Sequence, residues 1–170
     1  GREVAGLAKA FEMNTIAIRR SGSCSQGSIE NCDVLYPRQD LNEVFRLSDF
    51  VAVCLPLTPE TKHLIGRDLI RVMKPTAYLI NIARGAVVRE EELADALQNG
   101  VIAGAAFDVF EQEPLPPSSP LWGLPNVIVT SHISGNVDGY IDKVIGLVCE
   151  QLGRFINDQP LRNVVSKDHG

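Results

Sequence analysis

Three polar segments follow apolar runs of strand length, and their side chains could act together on a small anion. Their chemically capable residues are Arg84, Glu113 and His132. A guanidinium binds a carboxylate through paired hydrogen bonds, an imidazole transfers protons near neutral pH, and a carboxylate orients an imidazole and stabilises its charge. This set predicts proton transfer on a small acid. Gly85, next to Arg84, indicates close backbone approach, which favours a functional role for Arg84 over a strand cap.

The apolar runs before these residues alternate with helical patterns. Strands are predicted at residues 15–18, 50–55, 77–82, 102–107 and 127–130, and amphipathic helices at residues 4–11 and 138–156. Strands that are apolar throughout and separated by helices indicate a parallel sheet covered on both faces. The predicted fold class is therefore α/β, a doubly wound parallel sheet, in which ligands bind beyond the carboxyl ends of the strands. The polar, Gly- and Ser-rich residues 22–28 are predicted to form a loop.

Length and composition exclude several classes of protein. The 170 residues allow one domain of ordinary size, and a net charge of −5 argues against nucleic-acid or anionic-membrane partners. No apolar run reaches the roughly 20 residues that a membrane-spanning helix needs. The four cysteines lack metal-binding spacing. We therefore expect no metal site, reduced thiols, and a cytoplasmic or other reducing intracellular location.

The polar residues belong to three motifs, and the chain order of these motifs is informative. They are Asn81-Ile82-Ala83-Arg84-Gly85, then Asp108-Val109-Phe110 with Glu113-Pro114-Leu115, then Ser131-His132-Ile133-Ser134-Gly135. In this order they resemble the cofactor domain of the D-isomer-specific 2-hydroxyacid dehydrogenases. The resemblance includes the turn at residues 55–61. It implies a Rossmann-like domain and hydride transfer between NAD or NADP and a small 2-keto or 2-hydroxy acid, with glyoxylate or hydroxypyruvate favoured.

The resemblance also implies roles for individual residues. Arg84 would bind the substrate's carboxylate and keto oxygen, His132 would be the general acid and base, and Glu113 would be its charge partner. Glu111 lies two residues before Glu113, but the position directly before Pro114 favours Glu113. His63 lies outside the motifs and is expected to be solvated. Cys54 and Trp122 are expected to be packing residues.

A larger set is implied to bind the cofactor. Around the nicotinamide side it comprises Leu55, Pro56, Thr61, Ile82, Ala83, Arg84, Asp108, His132, Ser134 and Gly135. Gly1 resembles the last glycine of a phosphate-binding turn, with Arg2 beside it. The first strand and the start of that turn are therefore expected to be missing. Residues 1–157 are predicted as an N-terminally truncated nucleotide-binding domain, and residues 158–170 as a tail that would return to an absent substrate domain.

Two arginines bear on the choice of cofactor. Arg19 and Arg20 stand at the end of the second strand of the family's domain, where NAD-binding folds often place an acid for the ribose hydroxyls. A guanidinium there suits a 2′-phosphate, which favours NADP over NAD.

Two alternatives to a dehydrogenase remain open at this stage. The same fold serves as a dinucleotide-sensing transcriptional corepressor that resembles these enzymes, and the chain could also be an inactive short product. For a full-length dehydrogenase the resemblance implies a homodimer.

Overall fold

The computed structural model describes residues 1–19, 25–29 and 31–164. The strands are β1 (Ile16–Arg19), β2 (Ser25–Ile29), β3 (Cys32–Pro37), β4 (Phe50–Val53), β5 (Tyr78–Asn81), β6 (Gly104–Phe107) and β7 (Val127–Val129). The helices are α1 (Arg2–Ala10), α2 (Leu41–Leu47), α3 (Arg67–Val72), α4 (Glu90–Gln98) and α5 (Tyr140–Ile156). The chain divides into two compact units, residues 1–131 and residues 132–170.

The first unit contains two sheets. Strands β4, β5, β6 and β7 form a parallel sheet in that order, and β1 and β2 flank β3 in the second sheet. The β1–β3 pair is parallel, whereas β2 runs antiparallel to β3. This parallel, helix-flanked architecture confirms the predicted Rossmann-like α/β class.

Burial alternates along the strands of the four-stranded sheet. On one face, residues such as Val53, Leu79 and Phe107 share a buried core with Ile70 of α3 and Leu93 of α4. The covered face follows from the two-residue period of a strand, which sends alternate side chains to opposite faces. The other face carries large exposed side chains, namely Phe50, Tyr78 and Ile128. Helical covering was predicted for both faces, so these exposed residues are a difference from the prediction.

Two strands of the second sheet were not predicted. The loop predicted at residues 22–28 is wrong for its described part, because residues from Ser25 onward form β2. In β3, Asp33 interrupts the apolar pattern that would have revealed the strand. Its carboxylate accepts hydrogen bonds from the Thr15 N–H at 2.7 Å and from Lys9 Nζ at 2.8 Å. A polar residue in a strand is tolerated here because its charge is paired.

The second unit contains the long helix α5. It begins after Gly139, whose φ of +71° lies in the left-handed region that glycine tolerates. The helix predicted at residues 138–156 is thus confirmed, but none of its residues is buried. Among the helices of the described ranges, none combines the length and the hydropathy that crossing a membrane requires.

Candidate functional site

Three loops that follow neighbouring parallel strands build the candidate site at one edge of the sheet. We call them the β4 loop (residues 54–66), the β5 loop (residues 82–89) and the β6 loop (residues 108–119). Parallel strands end at the same edge, so their loops lie side by side. The β5 loop carries Arg84, and the β6 loop carries Glu113.

A cleft of about 600 Å³ opens where α1 meets the β4 and β5 loops. The start of α1 lies close to the β4 loop, since a Cβ built on Gly1 would be 3.7 Å from Cβ of Cys54. The cleft brings together six residues predicted to bind the cofactor, which are Gly1, Leu55, Pro56, Ile82, Ala83 and Arg84. Val4, Cys54 and Leu57 also line it and were not predicted to. Cys54 is exposed, so its assignment as a packing residue is wrong.

Asn81, the last residue of β5, shapes the turn that presents Arg84. Its side chain is fully buried; Nδ2 donates to the carbonyl of Arg84 and Oδ1 accepts from the Ala83 N–H, each at 3.1 Å. These bonds satisfy a buried amide whose desolvation would otherwise be costly. The exposed Arg84 guanidinium donates from Nη1 to the carbonyl of Ala83 at 2.7 Å. No role was predicted for Asn81, although an amide at the end of an apolar strand was a usable signal.

Gly85 brings the β5 loop into direct backbone contact with the β6 loop. A Cβ built on Gly85 would lie 1.8 Å from the carbonyl carbon of Phe110 and 2.4 Å from the amide nitrogen of Glu111. Side-chain carbons do not occupy such distances, so only glycine fits. The close backbone approach at Gly85 is thus made by the β6 loop.

The β6 loop begins with a buried carboxylate. Asp108 is 4% exposed, and its Oδ1 accepts the Thr130 hydroxyl at 2.6 Å. The backbone N–H of Asp108 donates to the carbonyl of Asn81 at 3.0 Å, which joins the ends of β5 and β6. Asp108 therefore lies below the loops, as an anchor of this edge of the sheet.

Glu113 and Trp122 shape the rest of the β6 loop. Glu113 Oε1 accepts the N–H of Phe110 at 2.9 Å, which folds the loop back on itself. The indole Nε1 of Trp122 donates to the carbonyl of Pro116 at 3.0 Å. Trp122 is 56% exposed, so the expectation that it packs in the core is wrong.

Thr61 supports the β4 loop from within. Its hydroxyl donates to the carbonyl of Pro56 at 2.7 Å and accepts the N–H of Thr58 at 2.8 Å. Both bonds close the turn whose first residues line the cleft. The structure thus places Thr61 behind the cleft wall.

His63, Glu90 and Glu111 form a cluster that the sequence analysis missed. The Nε2 of His63 lies 3.1 Å from Glu111 Oε2, so the expectation that His63 is solvated is wrong. Glu111 Oε1 accepts the Glu90 N–H, and Glu90 Oε2 accepts the Glu111 N–H, both at 3.0 Å. Burial raises the pKa of the Glu90 carboxyl, the N–H of Glu111 opposes that rise, and the Glu111 charge adds to it. No local sequence signal marks this cluster, because its members are up to 48 residues apart.

The remaining predicted residues lie elsewhere in the chain. Arg2 is the first residue of α1, and Arg19 is the last residue of β1. Arg20 lies outside the described residues. The second unit contains His132, Ser134 and Gly135, all exposed. His132 has a φ of +57°, a left-handed conformation that non-glycine residues adopt mainly where the surroundings impose it.

Two known proteins are similar to this chain in sequence. The glyoxylate/hydroxypyruvate reductase B of Pectobacterium carotovorum is 56% identical over 94 residues, which cover 55% of this chain and 29% of that protein. The D-3-phosphoglycerate dehydrogenase of Methanocaldococcus jannaschii is 38% identical over 170 residues, which cover 98% of this chain and 31% of that protein.

A solved structure matches over nearly the whole chain. It is an NADPH-dependent glyoxylate/hydroxypyruvate reductase of Sinorhizobium meliloti in complex with NADP and sulfate. Its TM-score is 0.88 at 31% identity, and the match covers 99% of this chain and 53% of that one. The chain thus spans about half the length of this protein and about a third of the two relatives.

A family model matches most of the chain. Its description is D-isomer specific 2-hydroxyacid dehydrogenase, NAD binding domain, and the match runs over residues 1–134. The chain therefore belongs to the D-isomer-specific 2-hydroxyacid dehydrogenase family, within the NAD-binding domain.

Proposed function

We propose that this chain is the nucleotide-binding part, residues 1–157, of an NAD(P)-dependent reductase of small 2-keto acids, with glyoxylate or hydroxypyruvate as the favoured substrate. The observation that carries the proposal is the cleft at the carboxyl edge of the sheet, where the start of α1 meets Arg84. The names of the two reductases support the substrate. A corepressor-like binding protein is not favoured, because the similar proteins are named as reductases and dehydrogenases.

The residues of the cleft fit a dinucleotide. A volume of about 600 Å³ is within the range of sites for small molecules and cofactors. The first turn of α1 has no side-chain cap, so its backbone amides and the helix dipole suit a phosphate. Apolar Val4, Leu55 and Ile82 offer surface to flat rings. Gly1 would let a phosphate approach the backbone closely.

The chain's own residues account for binding and proton transfer. When bound, the nicotinamide supplies the hydride that reduces the keto carbon. Arg84 turns from the Ala83 carbonyl to bind the substrate's carboxylate and to polarise its keto oxygen. The family's motifs assign His132 as the group that donates the proton to that oxygen, and Glu113 as its charge partner. The family's motifs imply that Asp108, Ser134 and Gly135 would help to hold the nicotinamide end of the cofactor.

The decisive experiment uses the full-length protein with NADPH and a panel of 2-keto acids. In H132N we expect turnover to fall by a factor of about 10² to 10⁴, the usual contribution of a positioned acid–base group. The Kd of the cofactor should stay within about twofold, because His132 acts on the substrate. Turnover that is unchanged in H132N contradicts the mechanism, and a wild type inactive on every keto acid contradicts the function.

NADP is the preferred cofactor in this proposal. Arg19 ends β1, a position from which a guanidinium suits the 2′-phosphate. In R19D the ratio of kcat/KM with NADPH to that with NADH should fall by about tenfold or more, since a charge-assisted bond is replaced by repulsion. K62M, which removes an exposed positive charge in the β4 loop, is the control. A ratio that is equal in R19D and K62M would mean that Arg19 does not contact the phosphate.

Assembly and location complete the proposal. The family resemblance supports a homodimer of the full-length protein, which sedimentation equilibrium would measure directly. Cys54 and Cys149 are free thiols, which suits a reducing compartment such as the cytoplasm.

A further inference from the structure

Three side chains outside the cleft tie its loops together. We propose that His63, Glu90 and Glu111 form a positioning clamp that holds the β6 loop, and with it Glu113, against the β5 loop that carries Arg84. The inference rests on the proposed function, since it assigns the clamp to the same reaction. None of the three residues lines the cleft, so each acts through the loops.

The centre of the clamp is a reciprocal pair of bonds. Each carboxylate of Glu90 and Glu111 accepts the backbone N–H of the other residue at 3.0 Å. Glu90 is the first residue of α4, so the pair fastens the β6 loop to the start of that helix. Hydrogen bonds in which one partner is charged are about twice as strong as neutral ones. Two such bonds in opposite directions fix both the distance and the orientation of the loop.

His63 extends the clamp to the β4 loop. Its Nε2 lies 3.1 Å from Glu111 Oε2, and an ionised carboxylate can only accept, so the imidazole donates. The residue has a φ of +54°, and its backbone N–H donates to the carbonyl of Ala86 at 2.7 Å. A non-glycine residue in this conformation costs energy that the surroundings must offset. The β4, β5 and β6 loops thereby meet at one cluster.

The clamp is connected to Glu113 through two adjacent peptide groups. The N–H of Phe110 donates to Glu113, and the next N–H, that of Glu111, donates to Glu90. Gly85 packs directly on the peptide group between Phe110 and Glu111. If this peptide group shifted, the Phe110 N–H that binds Glu113 would move with it. The backbone that packs on Gly85, the residue next to Arg84, would move as well.

The charges of the clamp also point to a role beyond joining loops. The raised pKa of Glu90 reflects burial and the nearby charge of Glu111, which is a cost to the folded protein. Local arrangements that oppose stability are expected where geometry serves function. His63 supplies a donor to one carboxylate of this pair, that of Glu111.

The test compares E111A with Q112A, an exposed neighbour in the same loop, in the full-length protein. E111A should speed amide exchange at Glu90 and lower kcat for keto-acid reduction about 10-fold to 100-fold, the range expected when a catalytic group is displaced by about 1 Å or less. The Kd for NADPH should change less than about twofold, and the KM for the keto acid should rise by a smaller factor than kcat falls, because the clamp touches neither molecule. Q112A should match the wild type in every measurement.

A conservative variant separates positioning from loss of folding. E111Q keeps an acceptor for the Glu90 N–H and a polar group beside His63, so it should recover most of the lost kcat. The proposal is overturned if E111A retains the kcat and the amide protection of Q112A. It is also overturned if E111A raises KM and Kd as much as it lowers kcat. A wild type that reduces no 2-keto acid would contradict the proposed function, while amide exchange at Glu90 would still decide whether the clamp holds the loop.

Discussion

At the scale of single residues, the site depends on groups that are not themselves reactive. Asn81 sets the turn before Arg84, and Gly85 allows the next loop to pack on the backbone. They are the first and last residues of the motif that contains Arg84, and neither would contact a substrate through its side chain. The position of Arg84 is therefore set by the buried side-chain amide of Asn81 and by the lack of a side chain at Gly85.

Gly85 gives a direct test of that packing. In G85A the new methyl group would fall 1.8 Å from the carbonyl carbon of Phe110, so the two loops must separate. We expect the free energy of unfolding to drop by about 2 kcal/mol or more, as in other overpacked sites. The matched control is G123A, since no atom lies within 4 Å of a Cβ there. Urea denaturation of both variants would measure the difference; equal stabilities would contradict the close contact.

The sequence predicted the positions of residues at this edge better than their contacts. The type and position of Arg84 and Glu113 were enough to place them on neighbouring loops. The pairing of His63 with Glu111 was not predictable, because only the folded chain brings together residues 48 positions apart. A polar residue that is expected from the sequence to be solvated can be part of such a pair.

At the scale of elements, apolar strands were predictable and polar ones were not. The continuous apolar runs of β4 and β5 identify them as strands of a parallel sheet. Strand β2, with the sequence Ser-Gln-Gly-Ser-Ile, has no such pattern. It forms by pairing with β3, a tertiary effect that overrides weak local preference.

An ion pair links helix α1 to strand β3. The helix has no buried residue, and the ion pair of Lys9 with Asp33 of β3 links it to the sheet at 2.8 Å. The hydrogen bond from Lys9, followed by that from the Thr15 N–H, lowers the pKa of the Asp33 carboxyl below its ordinary value of 3.8. The folded state therefore releases this proton more readily than the unfolded chain does. Ionised Asp33 therefore stabilises the fold at a pH above its ordinary pKa of 3.8. This stabilisation is lost as the pH falls through the lower pKa that Asp33 has in the folded protein.

Acid should therefore weaken the link between α1 and the sheet. We expect the unfolding free energy of the wild type to fall as the pH drops below about 4, and to fall less in K9M, which lacks the main partner of Asp33. K143M removes an exposed lysine of α5 and is the control for the lost positive charge. Urea midpoints across this pH range would give the comparison. If the unfolding free energy falls with pH equally steeply in K9M and in the wild type, the pair of Lys9 and Asp33 does not stabilise the fold.

At the scale of the whole molecule, burial is unevenly shared between the two units. The core lies within residues 1–131, around fully buried side chains such as Leu79 and Leu93. The second unit contains the longest described helix, but none of the residues of α5 is buried. Helix length alone gives little stability in water, since packing of an apolar face supplies most of it.

Amide hydrogen exchange, measured on the 170-residue chain, should be slower in the buried strands of the first unit than in helix α5 of the second. We expect the amides of β5 to be protected at least about tenfold more than those in the middle of α5, because opening free energies follow burial. Exchange measured by mass spectrometry on peptides covering Tyr78–Asn81 and Tyr140–Ile156 would show the order. Equal protection in the two segments would contradict a stability that follows the buried core.

Because the indole of Trp122 donates a hydrogen bond to the carbonyl of Pro116, tryptophan fluorescence can report on the position of the β6 loop. Trp122 is the single tryptophan of the sequence, so intrinsic emission excited at the indole band comes from a side chain that is hydrogen-bonded to this loop. Its ring is about half exposed, so a change in loop position alters its contact with water. Stopped-flow fluorescence can therefore follow movements of the segment that carries Glu113 without any introduced label.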